Sequence, residues 1–438
     1  MNDCIISIER CDWVEGLEVF ALKGNLVFSE SAEKLITMPE SYVVCINGLV
    51  EGTYRELPDY FKDIHVIDYG HKLIMPGLID MHTHAPQYAF LGLGMDLELI
   101  EWLNENTFPE EAKYKELEYA GKAYEIFSEA LKLSAATRAC IFATVHKDST
   151  KLLMDLLEET GLKCLVGKVN MDRNCPDNIR ETFEASIQDT VSWIEETKSL
   201  YKNTKPVLTP RFIPSCSDNL LKELSNLQKK YKLPVQSHLS ENVSEIAWVR
   251  ELCKDINNYG EAYSRFDLFG GEVPTIMAHC VYSEEEEVRL MKEKGVFIAH
   301  CPDSNTNLSS GIAPARKYMD MGIPMGLGTD MAAGHTGSIF RTMVSAIQVS
   351  KLRWRLVDSS LKPLTIPEVF YLGTMGGGAF LGKCGSFIKG YEFDAVIIDD
   401  ETIRHPQPLN LVSRLERVVY LSEDKHIVQK YVSGIPVF

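Results

Sequence analysis

The stretch Met75-Pro76-Gly77-Leu78-Ile79-Asp80-Met81-His82-Thr83-His84 combines a Pro-Gly turn, a short apolar run and two histidines one residue apart. Such a run predicts a buried strand. Side chains two residues apart on a strand lie on the same face, about 6–7 Å apart along the chain. His82 and His84 can therefore share one ion, and the stretch predicts a metal site. Two half-buried histidines with backbone partners are the alternative interpretation.

The bulk composition restricts the class of protein. A chain of 438 residues predicts one large domain with a smaller one. Its 45% hydrophobic and 24% charged residues are typical of soluble globular proteins. The formal net charge of −17 argues against nucleic acid or an anionic membrane as the main partner. No apolar run approaches the length of a membrane span, and a small, nearly neutral substrate fits best.

The 11 cysteines lack Cys-x-x-Cys pairs, and no signal peptide precedes them. This pattern predicts reduced thiols in a cytoplasmic protein. Cys280 and Cys301 each follow a histidine at the end of an expected strand. We expect both to be small buried hydrophobic residues, with sulfur ligation as the alternative.

Both ends of the chain are rich in short apolar runs separated by turn residues. Strand-like runs are Cys4–Ile8, Leu17–Leu22, Leu26–Phe28, Tyr42–Ile46, Asp394–Ile398, Val418–Tyr420 and Ile427–Val432. Gly24-Asn25 and Asn47-Gly48 between them indicate turns. We therefore expect residues 1–70 and 386–438 to form one small composite β-sandwich domain.

Residues 71–385 alternate between short apolar strands and longer helical stretches. The expected strands are Leu73–His84, Thr137–His146, Lys163–Asn170, Pro206–Phe212, Pro234–His238, Thr275–His279, Val296–Cys301 and Pro324–Asp330. Helices such as Asn219–Tyr231 and Ser283–Lys294 show apolar residues at i, i+3 and i+4. Eight such units predict a (β/α)8 TIM-like barrel, with an open doubly wound sheet as the alternative. No G-x-G-x-x-G follows an early strand, which argues against dinucleotide binding.

The carboxyl ends of these strands carry many metal-type side chains, and barrel chemistry takes place at that face. They are His82, His84, His146, Arg211, His238, His279, His300 and Asp330, including six of the 11 histidines. A catalytic zinc needs three or more protein ligands and an open position, which His82, His84, His238 and a carboxylate supply. His279 is either a ligand or a neighbouring hydrogen-bond donor. We expect structural roles for His146, His300 and His335.

Glu241 lies three residues after His238, at the expected mouth of the barrel. A metal-activated water needs a partner that moves protons to the substrate, and Glu241 suits that task. The alternative is a carboxylate in a first helical turn, which the helix dipole favours.

These residues resemble the metal-dependent amidohydrolase superfamily and, more narrowly, the guanine deaminase family. The motifs shared with the superfamily are Pro76–His84, His238–Glu241, Ala278–Cys280 and Gly328–Asp330. The narrower resemblance comes from His84–Tyr88, Glu101–Leu103, Thr107–Pro109, Thr209–Phe212 and Cys301–Asn305. It covers nearly the whole chain.

The resemblance implies a (β/α)8 barrel that hydrolyses guanine to xanthine and ammonia, in purine catabolism or salvage. It implies a homodimer with one zinc per chain, bound by His82, His84, His238 and Asp330 with His279 beside them. A second metal would need a lysine on the fourth strand, which carries Arg211 instead; Lys168 lies on the third. Histidine and carboxylate ligands also suit iron(II). Glu241, Asp330 and His279 would be the catalytic residues.

Substrate recognition requires polar groups for the carbonyl side of the purine. Arg211 presents a rigid fork of donors, and Gln87 offers both a donor and an acceptor. We expect these two, with Phe212 and His238, to contact the base. The alternatives are a surface salt bridge for Arg211, a loop amide for Gln87 and ordinary barrel packing for Phe212. Trp102 and Phe108 are expected mainly in the core of the insertion after the first strand.

Two other functions fit the same motifs. Adenosine-type, cytosine-type and triazine-type hydrolases use similar ligands, so the substrate rests on Arg211 and Gln87. A non-catalytic barrel that serves as a binding or scaffold protein is the alternative from another class. Such a protein would be expected to lose ligands or the proton-transfer glutamate, and this chain retains them.

Overall fold

The computed structural model describes Trp13–Val14 and residues 17–438, so the expected strand Cys4–Ile8 lies outside the described residues. The strands are β1 (Trp13–Val14), β2 (Leu17–Ser29), β3 (Leu35–Ile46), β4 (Leu49–Tyr54), β5 (His65–Pro76), β6 (Leu78–His84), β7 (Ala136–Phe142), β8 (Lys163–Gly167), β9 (Val169–Asn170), β10 (Thr204–Pro206), β11 (Thr209–Pro210), β12 (Val235–Leu239), β13 (Thr275–His279), β14 (Phe297–His300), β15 (Met325–Leu327), β16 (Ala395–Ile398), β17 (Ile427–Val432) and β18 (Ile435–Pro436). The helices are α1 (Leu99–Trp102), α2 (Phe108–Ala112), α3 (Leu117–Leu133), α4 (Lys147–Glu159), α5 (Phe183–Thr197), α6 (Asp218–Tyr231), α7 (Val243–Leu252), α8 (Tyr259–Ser264), α9 (Glu285–Lys294), α10 (Pro302–Asn307), α11 (Ala315–Asp320), α12 (Ile339–Leu356), α13 (Ile366–Tyr371), α14 (Gly377–Leu381) and α15 (Leu411–Leu421).

Parallel strands from β6 to β15 alternate with helices, as the sequence predicts. β6, β7, β8 and β10 pair in that order, β9 pairs with β11, and β12 to β15 pair consecutively. A parallel bridge between Leu208 and Val235 links the segment between β10 and β11 to β12. The Asp330 amide donates to the His82 carbonyl at 2.8 Å, which brings the last strand to the first. This arrangement is consistent with the expected (β/α)8 barrel.

The chain ends build a second, mixed sheet. Within the described residues it has eight strands, in the order β18-β17-β16-β5-β2-β3-β4, with β1 beside β2. In a flat sheet β2 and β17 would be about 14 Å apart, at three strand spacings. The rings of Phe20 on β2 and Tyr431 on β17 are nevertheless 6.0 Å apart. The sheet therefore curls around a core that includes Leu22, Phe393 and Ile397.

Several predicted strand boundaries differ from the structure, and two of the differences have a clear physical reason. The predicted strand Leu73–His84 is divided at Gly77, where the chain leaves the mixed sheet and joins the parallel one. A Cβ at Gly77 would collide with Thr137 Oγ1, so only glycine fits this crossing. Gly24-Asn25 is not a turn: β2 continues through it, with a shift of register. The interruption is absorbed as a bulge.

The predicted strand at Val418–Tyr420 is wrong, because these residues belong to α15. Leu415, Val418 and Val419 are its buried residues, and their i, i+3, i+4 spacing gives one apolar helix face. Asn410 begins the helix by accepting a hydrogen bond from the Ser413 amide. A run of three apolar residues was too short to distinguish the two structures.

A buried ion pair joins the parallel strands to the curled sheet. Arg138 on β7 donates through Nε to Asp394 Oδ2 at 2.6 Å and through Nη2 to Glu392 Oε2 at 2.9 Å. Asp394 also accepts a bond from the Ser433 amide. The side chains of Arg138 and Asp394 are 3% and 0% exposed, so removing one charge leaves the other buried without its partner.

We expect Arg138→Met to lower the free energy of unfolding by about 3–5 kcal/mol, because Asp394 keeps its charge in a site that water cannot reach. Denaturant unfolding of the two proteins measures this difference. Lys122→Met is the control: the Lys122–Glu118 pair is exposed and should contribute less than about 0.5 kcal/mol. Equal losses in both variants would show that the junction does not depend on the buried pair.

Candidate metal centre and adjoining cavity

Three histidines from two strands meet at one point. His84 Nε2 lies 3.3 Å from His82 Nε2 and 3.3 Å from His238 Nε2. His82 and His84 follow the two-residue period of β6, and His238 lies near the end of β12. The side chains of His82 and His84 are almost fully buried. The alternation in the His-x-His motif therefore produces the convergence that the sequence predicts.

Asp330 completes this cluster from the segment after β15. Its Oδ1 lies 3.2 Å from His82 Nε2 and 3.3 Å from His84 Nε2. Gly328 permits this approach, since a Cβ there would lie 2.8 Å from the Cβ of His82. Asp80 holds the same segment by accepting bonds from the amide and the hydroxyl of Thr329. β6 thus fixes the position of Asp330 through both backbone and side chain.

The donor set fits a single tetrahedral ion. Ligand bonds of about 2.0–2.1 Å place the ligand atoms of a tetrahedral zinc about 3.3–3.4 Å apart. The measured separations among the three Nε2 atoms and Asp330 Oδ1 include values of 3.2–3.3 Å. His279 Nε2 lies 3.7 Å from Asp330 Oδ2, is buried, and has no hydrogen-bond partner. The residues present can hold a metal, and their chemistry suits zinc.

Hydrogen bonds at the far side of two rings set their tautomers. His238 Nδ1 lies 2.6 Å from the Arg211 carbonyl oxygen, and His279 Nδ1 lies 2.9 Å from Asn305 Oδ1. Both partners are acceptors, so each Nδ1 donates. The Nε2 lone pairs of these rings therefore face the cluster, as metal ligands require.

Burial controls the charge state of the cluster. It lowers the pKa of His84 and of His238, and the neighbouring His82 ring lowers both further. Burial opposes ionisation of Asp330, but the charge of the His82 ring holds the pKa of that carboxyl well below its usual range. The lowered pKa values favour neutral imidazoles at His84 and His238 and an ionised Asp330, and a metal binds ligands in these deprotonated forms.

The backbone turns sharply where these strands end. Ser240, His279 and Asp330 have φ values of 48°, 73° and 48°, in the left-handed region that non-glycine residues seldom adopt. Such conformations cost of order 1–3 kcal/mol each and cluster at functional sites. Here they occur at or beside the converging side chains, and they end the strands with the side chains directed inward.

Glu241 is buried beside the cluster. Its Oε2 is 3.5 Å from His279 Nε2, and its Oε1 accepts a bond from Ser310 Oγ at 3.4 Å. The Glu241 amide donates to Glu245, whose side chain also forms the capping box of α7 with Asn242. Burial, followed by the charge of Asp330, raises the pKa of Glu241 well above its usual range. Glu241 can thus hold a proton at neutral pH.

A cavity adjoins the cluster. Its polar wall comprises His84, Gln87, Arg211, His238, Glu241, Glu245, His279 and Asp330, and its apolar wall comprises Leu99, Trp102, Leu103, Phe212, Leu308 and Ala333. Leu99, Trp102 and Leu103 come from the insertion after β6. Trp102 lines the cavity as well as packing in the insertion, while Phe108 stacks on the Arg211 guanidinium at 5.2 Å. The cavity offers apolar walls for a flat ring and polar groups at its ends.

Several candidates lie apart from the cluster. Within the described residues, the side-chain groups that could hold a metal do not include the candidates His146, His300, His335, Lys168, Cys280 and Cys301. Lys168 is buried and pairs with Glu181 at 2.6 Å. Cys280 and Cys301 are buried, as expected of small hydrophobic residues.

Sequence analysis did not find Glu111, Asn305, Ser310 or a role for Asp80. Asn305 and Asp80 lie inside motifs that were singled out, so their position was a usable signal. Glu111 contacts Arg211 across 100 residues of sequence, and no local pattern indicates that pairing.

The sequence model of the amidohydrolase family matches residues 73–437 of this chain. The chain is 35% identical to guanine deaminase from Dictyostelium discoideum, over 94% of this chain and 96% of that one. It is 38% identical to guanine deaminase from Homo sapiens, over 83% and 82%. The crystal structure of guanine deaminase from C. acetobutylicum, with guanine bound in its active site, superimposes with a TM-score of 0.94 at 47% identity, over 96% of this chain and 100% of that one. This chain therefore belongs to the amidohydrolase family.

Proposed function

We propose that this protein is a guanine deaminase, which hydrolyses guanine to xanthine and ammonia. The observation that carries the proposal is one cavity lined by Arg211 and Gln87 as well as by histidines of the cluster and Asp330, with Glu241 beside them. The relatives named above bear the same activity in their names. The reaction forms a bond between water oxygen and the amino-bearing ring carbon, and then breaks the bond from that carbon to the amino nitrogen.

We propose one metal ion per chain, bound by His82, His84, His238 and Asp330, with His279 as a further ligand or orienting group. Zinc suits these donors, and iron(II) suits them as well. The bound ion would supply a Lewis acid that acidifies water at neutral pH. Lys168, engaged with Glu181, is not positioned as a bridging ligand.

The proton transfers are assigned to Asp330 and Glu241. Asp330 is ionised and lies among the donors, so its carboxylate can accept the proton that the attacking water loses. Glu241 holds a proton and can deliver it to the ring nitrogen next to the amino-bearing carbon, which makes that carbon electrophilic. The ring nitrogen keeps that proton in xanthine. The Glu241 carboxylate can then take the remaining proton of the added hydroxyl and pass it to the departing amino group, and the proton that Asp330 accepted restores Glu241. His279 lies within 3.5 Å of Glu241 and can orient it.

Arg211 and Gln87 are assigned to the carbonyl side of the purine. The guanidinium donates hydrogen bonds only, so it suits a ring carbonyl oxygen. Gln87 can donate and accept, and Phe212 offers an apolar face beside them. His238 contacts the ring from the metal side. The apolar wall formed by the insertion excludes water, which strengthens each of these polar contacts.

Three further assignments belong to the proposal. Residues 1–70 and 386–438 form one β-domain around a catalytic domain of residues 71–385, supported by the pairing of β5 with β16. The protein is a cytoplasmic homodimer, an expectation that light scattering and fractionation can test. Of the helices that the structure describes, none combines the length and apolarity that a bilayer span requires.

Ammonia release from guanine by purified protein tests the function, with adenine, cytosine and adenosine in parallel and with chelator-treated protein as the control. We expect release from guanine alone, and its loss after chelation. Release from another base but not from guanine would refute the assignment of Arg211 and Gln87. A metal-loaded protein inert toward all four bases would refute the substrate class.

A further inference from the structure

Glu111 lies behind the side chains that were assigned to substrate recognition. It belongs to α2 in the insertion and is 1% exposed. Its Oε2 accepts a hydrogen bond from Arg211 Nη1 at 2.6 Å, and its Oε1 accepts one from Arg211 Nη2 at 3.0 Å. The pair is bidentate and almost completely buried. Glu111 contacts Arg211 and Gln87, which both line the cavity, but it is not itself one of the described lining residues.

The carboxylate also fixes Gln87. Gln87 Nε2 donates to Glu111 Oε1 at 3.3 Å, and Gln87 Oε1 accepts a bond from the Ala332 amide at 3.3 Å. An acceptor on one side and a donor on the other permit only one orientation of the amide. Glu111 therefore determines which side of the Gln87 amide presents the donor Nε2 and which side presents the acceptor Oε1.

The pairing also sets the charge of the subsite. Two of the five N–H bonds of Arg211 donate to Glu111, and the others remain available as donors. The two opposite charges cancel, so the pair as a whole has no net charge. An isolated guanidinium in this buried wall would attract an anion. Paired with Glu111, it offers hydrogen bonds to a neutral carbonyl instead.

We propose that Glu111 is a positioning residue that holds Arg211 and Gln87 in their recognition geometry and makes the subsite selective for a neutral oxopurine over an anionic one. This inference rests on the proposed function. It adds a basis for selectivity. Neutral purines bind because the charge of the Arg211 guanidinium is neutralised by Glu111. Purine anions bind weakly because the Glu111 carboxylate already occupies the role of the anion that pairs with Arg211.

The test compares Glu111→Gln with the wild-type protein. Its readouts are kcat and KM for guanine, and inhibition constants for hypoxanthine, a neutral oxopurine, and for urate, an anion at neutral pH. We expect KM for guanine to rise about tenfold or more, with a smaller change in kcat, because a charged hydrogen-bond partner is lost. We also expect the ratio of the two inhibition constants to shift at least about tenfold toward urate.

Glu110→Gln is the matched control, because Glu110 is a buried neighbour whose carboxylate pairs with Lys113 at 2.6 Å, away from the cavity. It should leave the inhibition ratio unchanged. Glu111→Asp keeps the charge, and it should retain the wild-type ratio even if KM rises. The Arg211→Met, Glu111→Gln double variant removes both charges, so it should lose the shift toward urate that Glu111→Gln alone produces, because that shift requires the unpaired guanidinium.

The outcomes separate this inference from the function on which it rests. A wild-type protein that neither binds nor deaminates guanine would overturn the proposed function. Wild-type turnover with the same inhibition ratio in Glu111→Gln would overturn the role of Glu111 alone. If Glu111→Gln does not fold, the deciding variants are Glu111→Asp and Arg211→Met with and without Glu111→Gln. A shift of the inhibition ratio toward hypoxanthine in Arg211→Met supports the charge argument. An unchanged inhibition ratio overturns it.

Discussion

Replacement of Glu241 by glutamine is expected to lower kcat for guanine about 10²–10⁴-fold while metal content stays at the wild-type level. Glutamine keeps the shape of the side chain and can still accept the bond from Ser310 Oγ, so the site should stay intact. It cannot deliver a proton to the ring nitrogen, and it cannot pass a proton of the added water to the leaving ammonia. The loss should therefore fall on kcat, with a much smaller change in KM.

Steady-state kinetics and metal analysis of the same preparations measure this result. Glu287→Gln is the matched control, because Glu287 is also buried and its pKa is also raised by burial. Its carboxylate instead accepts bonds from Ser240 Oγ and the Gly260 amide. We expect near wild-type kcat from this variant. A Glu241→Gln protein with full metal and wild-type kcat would assign the proton transfers to another residue.

The parts of the site that could be predicted from sequence are those set by local periodicity. His82 and His84 share a face because a strand repeats every two residues, so the convergence of these two proposed ligands follows from β6 alone. Asp330 follows a glycine-containing segment, and the structure shows that Gly328 makes room for its approach to His82. Those two features needed no knowledge of distant contacts.

The parts that could not be predicted depend on contacts between remote segments. Glu111 pairs with Arg211 across 100 residues, and it lies in an insertion whose path no periodic pattern describes. The exchange of strand partners at Gly77 depends on the position of Thr137 on the neighbouring strand. The helix around Val418 required recognition of Leu415 as its partner at i−3. In the first two cases a tertiary contact decided the outcome. In the third, the deciding pattern is local but extends beyond the run of three apolar residues.

Replacement of His238 by glutamine is expected to reduce bound metal well below one ion per chain and to lower guanine turnover at least about 10³-fold. His238 is one of the proposed ligands, and its tautomer is defined because its Nδ1 donates to the Arg211 carbonyl at 2.6 Å. Its Nε2 lone pair therefore faces His84 Nε2 at 3.3 Å. Glutamine can replace the hydrogen bond or the ligand atom, but not both in this geometry. Metal analysis and ammonia release measure the two losses.

His146→Gln provides the matched control, since His146 follows the neighbouring strand β7 but lies outside the described ligand groups. Burial lowers the pKa of His146 to about 4, so it too is a neutral imidazole. The two histidines therefore differ in position rather than in charge, and only the His238 variant should lose metal. A His238→Gln protein that keeps one ion but loses turnover would instead place His238 beside the substrate. Only side chains whose atoms reach the ion can act as ligands, and His146 is not expected to be one. Equal metal loss in both variants would therefore mean that metal is lost through general destabilisation of the protein.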